Sequence, residues 1–170
     1  MITFTVWGTP VAQPRQRFMA TPMGARPYRD SKHPVHAYKA AVRRAAERSW
    51  IGRPMEGPLV LFCLFVMPRP KRLVWKTRPM PRVEHTSKPD CDNLIKAVKD
   101  AITGSIWRDD DQVWMGIPVK VIAGGNEKPH TRVVIAERSL ADGYEISVQV
   151  LPSGGMLRCG SETGGNLCLS

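Results

Sequence analysis

The sequence contains no apolar stretch long enough to cross a membrane. A spanning helix needs about 20 consecutive apolar residues, whereas the longest apolar run, from Leu59 to Met67, has the length of a strand. The N-terminal residues also lack the basic and then apolar layout of a secretory signal peptide. We therefore expect a cytoplasmic protein that has no membrane partner.

Cysteine is scarce too, and the cysteines that are present form no recognisable framework. Only four occur, none of them in a CxxC pair, and the four histidines make no metal-ligand spacing with them. A disulfide scaffold and a zinc site are therefore not expected. The sequence also lacks a GxxxxGK[ST] loop, which argues against a nucleotide cofactor, and a Ser/His/Asp or Cys/His arrangement, which argues against a covalent nucleophile.

Acidic residues are few in the first half of the chain. Residues 1–82 hold sixteen Lys or Arg but only three Asp or Glu, whereas the remainder holds nine basic and twelve acidic residues. The net charge of the chain is +10, and the excess positive charge lies in this segment. Such a basic segment favours a polyanionic partner, and nucleic acid is the commonest one. The alternative is a solvated basic surface that binds no specific ligand.

The order of the periodic segments predicts an α/β fold. Apolar residues recur at helical spacing in two segments, and β-branched or apolar runs lie between and after them. The run Leu59–Met67 is continuous, as in strands that are buried on both faces. The segment "GGNEKPH" at 124–130 is typical of a hairpin-like turn. The predicted elements are strands over 2–8, 59–67, 112–124, 131–140 and, as a further candidate, 144–151, with helices over 35–50 and 91–103.

These elements follow each other as β-α-β-α-β-β, which predicts a small mixed sheet with two main helices packed on it. The Pro- and Arg-rich segments 10–34 and 68–89 have no periodicity, so we expect irregular basic loops there. A single domain is predicted over residues 1–151. The Gly/Ser-rich residues 152–170 are predicted to form a flexible tail.

The helix predicted over 91–103 carries carboxylates outside its apolar stripe. The stripe leaves Asp92 and Lys96, four residues apart, on a shared face, and Asp90 falls at the N-cap position. A second acidic cluster, "RDDD" at 108–111, follows the helix. The stripe itself consists of Leu94, Ile95, Val98, Ala101 and Ile102.

The residues alone leave two interpretations of these acids open. Acids in a first helical turn are favoured by the helix dipole and by capping, and an acidic turn before a strand is often only solvated. In a protein that binds a polyanion, however, grouped carboxylates repel phosphate unless a divalent ion lies between them. Mg²⁺ binds through one or two carboxylates and the substrate's phosphates, which favours a metal-dependent nuclease. Lys96 would then offset charge in the transition state.

The stretch "DCDNLIKAVKDAI", followed closely by "WRDDDQV", resembles the signature of the RusA family of Holliday junction resolvases, which occur in bacteria and their phages. The resemblance is strong over about residues 88–123 and looser over the N-terminal strand, the "PRQRF" loop and the first helix. It implies a small α/β homodimer that cuts four-way DNA junctions symmetrically in recombination and repair. Mg²⁺ would be its cofactor, with Mn²⁺ as a substitute, and the protein would be cytoplasmic and nucleoid-associated.

Matched position by position, the family motif implies Asp90, Asp92 and Asp110 as catalytic metal ligands and Lys96 as the essential lysine. Asp109 matches the first acid of the family's Asp-Asp pair and is the second choice as a ligand. The chain departs from the family pattern at the acid that follows, Asp111. The basic residues expected to contact DNA phosphates are Arg15, Arg17, Lys71, Arg72 and Lys88.

Two alternatives to a junction resolvase are compatible with the sequence. One is a less selective nuclease of branched DNA, and the other is a DNA-binding protein without catalytic activity, whose acids only cap and solvate. Trp107 and Trp114 flank an apolar strand, so for them we expect burial in the core rather than stacking on exposed bases.

Overall fold

The computed structural model describes residues 1–15, 17–22, 24–28 and 30–137. Short 3₁₀ turns at Lys71–Leu73 and Asp110–Gln112 accompany the longer elements. Neither helix of the described part of the chain has the length and apolar character that a membrane crossing requires. The strands and helices in these ranges are β1 (Ile2–Trp7), β2 (Arg17–Thr21), β3 (Gly24–Tyr28), α1 (Val35–Ser49), β4 (Leu59–Met67), β5 (Val83–Glu84), α2 (Cys91–Ile102), β6 (Val113–Ile122) and β7 (His130–Glu137).

Five of the strands form one mixed sheet in the order β1-β7-β4-β6-β5. The central strand, β4, runs antiparallel to β7 and parallel to β6. At the two edges, β1 pairs with β7 and β5 pairs with β6, both antiparallel. The predicted mixed sheet with two main helices is confirmed.

The composition of β4 explains its central place. All of its nine residues are apolar, and all except Val60 are buried. Its side chains alternate between two cores: Leu61 and Phe65 face the larger cluster, whereas Phe62 and Leu64 belong to a smaller cluster on the other side of the sheet. Each large apolar side chain buried in this way contributes about 1.5–3 kcal/mol to folding.

Both helices belong to the larger cluster. Val42 and Ala46 of α1, together with Leu94 and Val98 of α2, are completely buried there. In each helix the two residues are four positions apart, so each helix turns one apolar stripe toward the sheet. The stripe predicted for α2 is therefore confirmed, and the polar face of α2 is turned away from the core.

Basic side chains of α1 hold the C-terminal end of α2. Arg43 donates from Nε to the carbonyl oxygen of Ala101 at 2.9 Å and from Nη2 to that of Thr103 at 3.4 Å. Lys39 adds an ion pair with Asp100, with Nζ 2.7 Å from Oδ2. Cations at this end satisfy unpaired carbonyls and complement the helix dipole. Asp100, one of the acids in the motif, therefore has a structural partner.

Residues 10–34 do not form the irregular loop that the sequence predicts. The strands β2 and β3 pair as an antiparallel hairpin, with Thr21 opposite Gly24 at its turn. Gly24 has a φ of 110°, a conformation that favours glycine, and Thr21 Oγ1 donates to its carbonyl oxygen at 2.5 Å. The prediction is wrong because these strands show no apolar alternation and because Pro27 lies within β3.

The prediction of a hairpin-like turn over 124–130 is also wrong. Within the described ranges β6 and β7 are not neighbours, because β4 lies between them. The connecting segment passes the end of β4, where the backbone N–H of Ala123 donates to the carbonyl oxygen of Met67 at 2.8 Å. Strand propensity identifies strands, but it does not tell which of them pair.

The two tryptophans that flank an apolar strand differ in burial. Trp107 is completely buried and donates from Nε1 to Thr103 Oγ1 at 3.0 Å, as expected for a core residue. Trp114 is 46% exposed, so the prediction of burial is wrong for this residue. Among the described residues, only the two-residue strand β5 lies beyond β6 in the sheet, and its pairing reaches only the far end of β6. The predicted strand at 144–151, the domain boundary at 151 and the tail over 152–170 lie outside the described residues.

Candidate active site at the start of helix α2

Asp90 occupies the N-cap position of α2, but its carboxylate does not cap the helix. Only its main-chain oxygen takes part, accepting from the N–H of Leu94 at 3.2 Å. An N-cap aspartate ordinarily accepts a hydrogen bond from an N–H group of the first turn through its side chain. Asp90 is exposed and lines a cavity at the start of the helix. A carboxylate that the helix does not use is available to a ligand.

The cavity has a volume of about 480 Å³ and lies between two segments that are distant in sequence. The residues after β1 form one side of it, and the residues that lead into α2 form the other. The backbone N–H of Gln13 donates to the carbonyl oxygen of Asn93 at 2.8 Å and ties the two sides together. The cavity therefore carries two cationic side chains beside one carboxylate. Its lining residues are Ala12, Gln13, Arg15, Lys88, Pro89, Asp90 and Asn93.

Asp92 and Lys96 continue the polar face of α2 beyond the cavity. Both are exposed, in agreement with the predicted helical face. They are separated by about 6 Å along the helix axis, because each residue of an α-helix adds about 1.5 Å. Lys99 follows one turn later on the same face and forms an ion pair with Asp110, with Nζ 3.2 Å from Oδ2. This contact places the acidic turn at 109–111 alongside the third turn of α2.

The three acids of this turn have different surroundings. Asp109 is the N-cap of the 3₁₀ turn and accepts from the N–H of Asp111 through Oδ1 at 3.4 Å. Asp110 faces α2 through Lys99, whereas Asp111 is exposed. Asp109, the second choice as a metal ligand, is thus engaged in capping, and Asp110 is the acid that approaches the helix.

Gln112 holds the acidic turn in place. Its Oε1 accepts from the backbone N–H groups of Arg108 at 2.9 Å and Asp109 at 3.2 Å. Its Nε2 donates to the carbonyl oxygens of Met55 at 3.0 Å and Gly57 at 3.3 Å. The glutamine of the "DDDQV" motif is therefore a structural residue, a role that the sequence analysis did not assign. A polar residue directly before an apolar strand was the one signal for it.

Comparison with known proteins identifies the family of the chain. The family model described as "Endodeoxyribonuclease RusA" matches residues 8–136, which include the cavity, α2 and the acidic turn. The chain belongs to the RusA family. It is also similar to the uncharacterized protein YqaN of Bacillus subtilis, with 32% identity over 145 residues that cover 81% of this chain and 97% of that protein.

The acids that the RusA motif singles out do not form a closed metal cage. No group of three or more His, Cys, Asp or Glu side chains within the described residues is arranged to hold an ion. Asp92 and Lys99, the partner of Asp110, lie about 10 Å apart along the helix axis, given the rise of an α-helix. Two exposed carboxylates at the start of α2 nevertheless suit Mg²⁺, which takes oxygen ligands and usually binds through one or two carboxylates together with substrate phosphate. The donor set fits an ion that binds with DNA.

The basic residues predicted to contact DNA lie in three places. Arg15 and Lys88 are at the cavity, next to Asp90. Lys71 and Arg72 are exposed on the 3₁₀ turn in the loop after β4, and Arg17 is the first residue of β2. Thus two of the five, Arg15 and Lys88, line the cavity of the candidate site.

The loop after β4 also contains an arginine that is engaged within the protein. Arg69 donates from Nε to the carbonyl oxygen of Ala123 at 2.8 Å, from Nη1 to that of Leu73 at 3.2 Å, and from Nη2 to that of Pro81. These bonds tie both ends of the loop to the end of the sheet. The loop that carries Lys71 is therefore braced rather than extended into solvent.

Lys120 of β6 is a further residue that the sequence analysis did not single out. Its Nζ donates to the carbonyl oxygens of Ser87 at 2.6 Å and Pro89 at 2.5 Å, directly before Asp90. Burial, together with the nearby Lys120 charge, lowers the pKa of His85 from 6.5. A single lysine in an otherwise apolar strand was the only signal in the sequence.

Proposed function

We propose that this RusA-family protein is a Mg²⁺-dependent endonuclease that resolves four-way DNA junctions by paired, symmetric cleavage. The observation that carries the proposal is Asp90, an N-cap residue whose carboxylate makes no cap bond and lines a cavity with Arg15 and Lys88. An acid that shares a cavity with two cations for stability alone would be expected to pair with one of them. Asp90 makes no such pair among the described residues, which supports a role toward a bound ligand.

Arg15 and Lys88 bind the DNA backbone near the bond that is cut. Both are exposed, cationic and line the same cavity, so a phosphate in the cavity is attracted by two charges. Lys71 and Arg72 contact the phosphates of a junction arm farther away. Phosphate contacts of this kind fix the register of DNA on the protein, and they do not depend on base sequence.

Asp90 and Asp92 hold the metal ion, and Asp110 is the third ligand that the family motif implies. When bound, Mg²⁺, or Mn²⁺ in its place, lowers the pKa of a coordinated water and offsets negative charge on the phosphoryl oxygens. The basic residues around the site attract DNA without the ion, whereas the carboxylates contribute only through it. Cleavage, rather than DNA binding, is therefore the step that requires metal.

Lys96 acts on the charge that develops during cleavage. Its ammonium group lies one helical turn after Asp92 on an exposed face, and the described residues give it no anionic partner. An unpaired ammonium beside the scissile phosphate stabilises the additional negative charge of the transition state. This role differs from that of Arg15, which stabilises the bound DNA equally in the ground state and in the transition state.

A homodimer accounts for paired cleavage. Resolution of a junction requires one cut in each of two opposing strands. A dimer with two-fold symmetry places two identical active sites at symmetric positions. Sedimentation of the full chain, alone and with a junction, tests this part of the proposal. A monomer that remains monomeric on the junction would contradict it.

Cleavage of synthetic DNA tests the activity itself. A four-way junction, a flap and a linear duplex of shared sequence are labelled on each strand in turn and incubated with Mg²⁺, Mn²⁺ or a chelator. We expect two nicks at symmetric positions in the junction, with little cleavage of the other two substrates and none with chelator. Equal cleavage of the flap would favour a less selective nuclease, and binding of the junction without cleavage would favour a non-catalytic DNA-binding protein.

A further inference from the structure

Lys120 joins the sheet to the segment that carries Asp90. The residue lies near the end of β6, and its side chain is directed to the face of the sheet that α2 covers, because the neighbouring Val119 packs with the smaller cluster on the other face. From there Nζ reaches the carbonyl oxygens of Ser87 and Pro89 at 2.6 and 2.5 Å. Pro89 directly precedes Asp90, and Ser87 lies three residues before it.

The same residue also holds the beginning of this segment. The backbone N–H of His85 donates to the carbonyl oxygen of Lys120 at 3.2 Å, directly after the short strand β5. Three hydrogen bonds from one residue of β6 thus fix the chain between β5 and α2. The segment has little other support, since Thr86, Ser87 and Lys88 are exposed. Between its two anchored ends, the contacts of Lys120 hold this segment to the sheet.

The charge of Lys120 suits this task. An ammonium group has three donors and can bind two carbonyl oxygens at once, whereas a methionine side chain of similar length has no donor. Hydrogen bonds from a charged donor are shorter and stronger than neutral ones, and both distances here are short.

We propose that Lys120 is a positioning residue for DNA cleavage. It acts by fixing the backbone of residues 87–89, so that the Lys88 and Asp90 side chains meet the phosphate in one arrangement. This inference rests on the proposed function, since it assigns Lys120 to the same site. Lys120 does not itself touch the reacting groups, and its loss is expected to affect the site before it affects the fold.

The test compares four full-length proteins: the wild type, Lys120→Met, Lys120→Arg and Val119→Ala. Lys120→Met removes the donors but keeps a long side chain, and Lys120→Arg keeps a charged donor. Val119→Ala is the control for lost stability, because it removes apolar contacts on the opposite face of the same strand. Thermal unfolding, junction affinity without divalent ion, Mg²⁺ dependence of cleavage and amide hydrogen exchange over residues 86–94 are measured for each.

We expect Lys120→Met to exchange amide hydrogens in 86–94 faster and to lose about 10–100-fold in Mg²⁺ affinity or cleavage rate, as when the supporting partner of a metal ligand is removed. Junction affinity changes little, and Lys120→Arg recovers part of the loss. Val119→Ala lowers the unfolding temperature without either effect. Unchanged exchange and unchanged Mg²⁺ dependence in Lys120→Met would overturn the inference, as would Val119→Ala reproducing both changes.

Failure of the proposed function gives a different result. If the wild type cuts no branched DNA, the proposed activity is wrong, and hydrogen exchange still decides whether Lys120 holds the segment. Faster exchange in Lys120→Met would then support the positional role, and unchanged exchange would overturn it.

Discussion

The ammonium group of Lys99 lies 3.2 Å from Oδ2 of Asp110. The contact joins the third turn of α2 to the acidic turn before β6, and it engages a carboxylate that the family motif assigns to the metal. Asp90 and Asp92, by contrast, have no cation bound to their carboxylates in the described residues. Asp110 is therefore ion-paired, whereas Asp90 and Asp92 are not. The three carboxylates are expected to respond differently when neighbouring residues are substituted.

Lys99→Met is expected to lower the Mg²⁺ concentration needed for half-maximal junction cleavage, because Asp110 no longer shares its charge with an ammonium group. Stability should change by less than about 1 kcal/mol, since the pair is partly exposed to solvent. Mg²⁺ titration of the cleavage rate and chemical denaturation measure the two quantities. A higher Mg²⁺ requirement would instead show that Lys99 holds Asp110 in its working position.

Asp92→Asn and Asp110→Asn are each expected to abolish cleavage while junction binding stays the same or becomes tighter. The substitution removes a metal ligand and also a repulsive charge next to DNA. Asp109→Asn is the matched control from the same turn: its side chain caps, and asparagine caps about equally well, so both cleavage and stability should be retained. Near-normal turnover of either Asp92→Asn or Asp110→Asn in Mg²⁺ would remove that residue from the site.

Lys96→Ala and Arg15→Ala are expected to impair different steps, namely cleavage in the first variant and junction binding in the second. Without Lys96, single-turnover cleavage should fall steeply while junction affinity changes little, because the interaction belongs to the transition state. Without Arg15, affinity should fall and its dependence on salt should become shallower, because one phosphate contact is lost. Equal losses of affinity, without a selective loss of cleavage in Lys96→Ala, would contradict the assigned roles.

The ion pair between Arg82 and Glu127 predicts a pH dependence of stability. Burial acts to raise the pKa of Glu127, but hydrogen bonds from Arg82 and from the N–H of Gly124, together with nearby positive charge, lower it below 4.5. A carboxyl whose pKa is depressed on folding adds stability above its unfolded pKa and loses it as pH falls through the folded value. The unfolding temperature of the wild type should therefore exceed that of Glu127→Gln near neutral pH, and the difference should shrink on acidification below about 4.5.

Glu56→Gln serves as the control for that measurement. Glu56 also pairs with an arginine, but both side chains of the Arg108–Glu56 pair are more than two thirds exposed. Exposed pairs contribute little to stability, so this variant should follow the wild type at every pH. A pH-independent gap between the wild type and Glu127→Gln would show that packing, rather than ionisation, is responsible.

The sequence was sufficient for the parts of the fold that local pattern determines. The continuous apolar run of β4 and the apolar stripe of α2 predict a buried central strand and a helix with Asp92 and Lys96 on its polar face, and both are confirmed. These features are readable because a single period decides which side chains are buried. The family resemblance, which rests on the same helix and the turn after it, is confirmed as well.

Features that depend on distant partners were not predictable in the same way. β6 and β7 read as a hairpin because nothing in their sequences shows that β4 enters between them. Asp109 and Asp110 are adjacent and chemically identical, yet one caps the turn and the other meets Lys99. The role of Lys120 likewise depends on carbonyl groups more than thirty residues away.

Asp90→Asn gives the most direct test of the account, because the proposed role of the Asp90 carboxylate is to hold the metal ion rather than to cap the helix. Asparagine caps a helix about as well as aspartate, and the carboxylate makes no cap bond here, so the unfolding temperature should not change. We predict that the variant binds a four-way junction at least as tightly as the wild type and introduces no nicks in Mg²⁺. A variant that still makes symmetric paired nicks at the wild-type rate would show that the cavity beside Asp90 is not the active site.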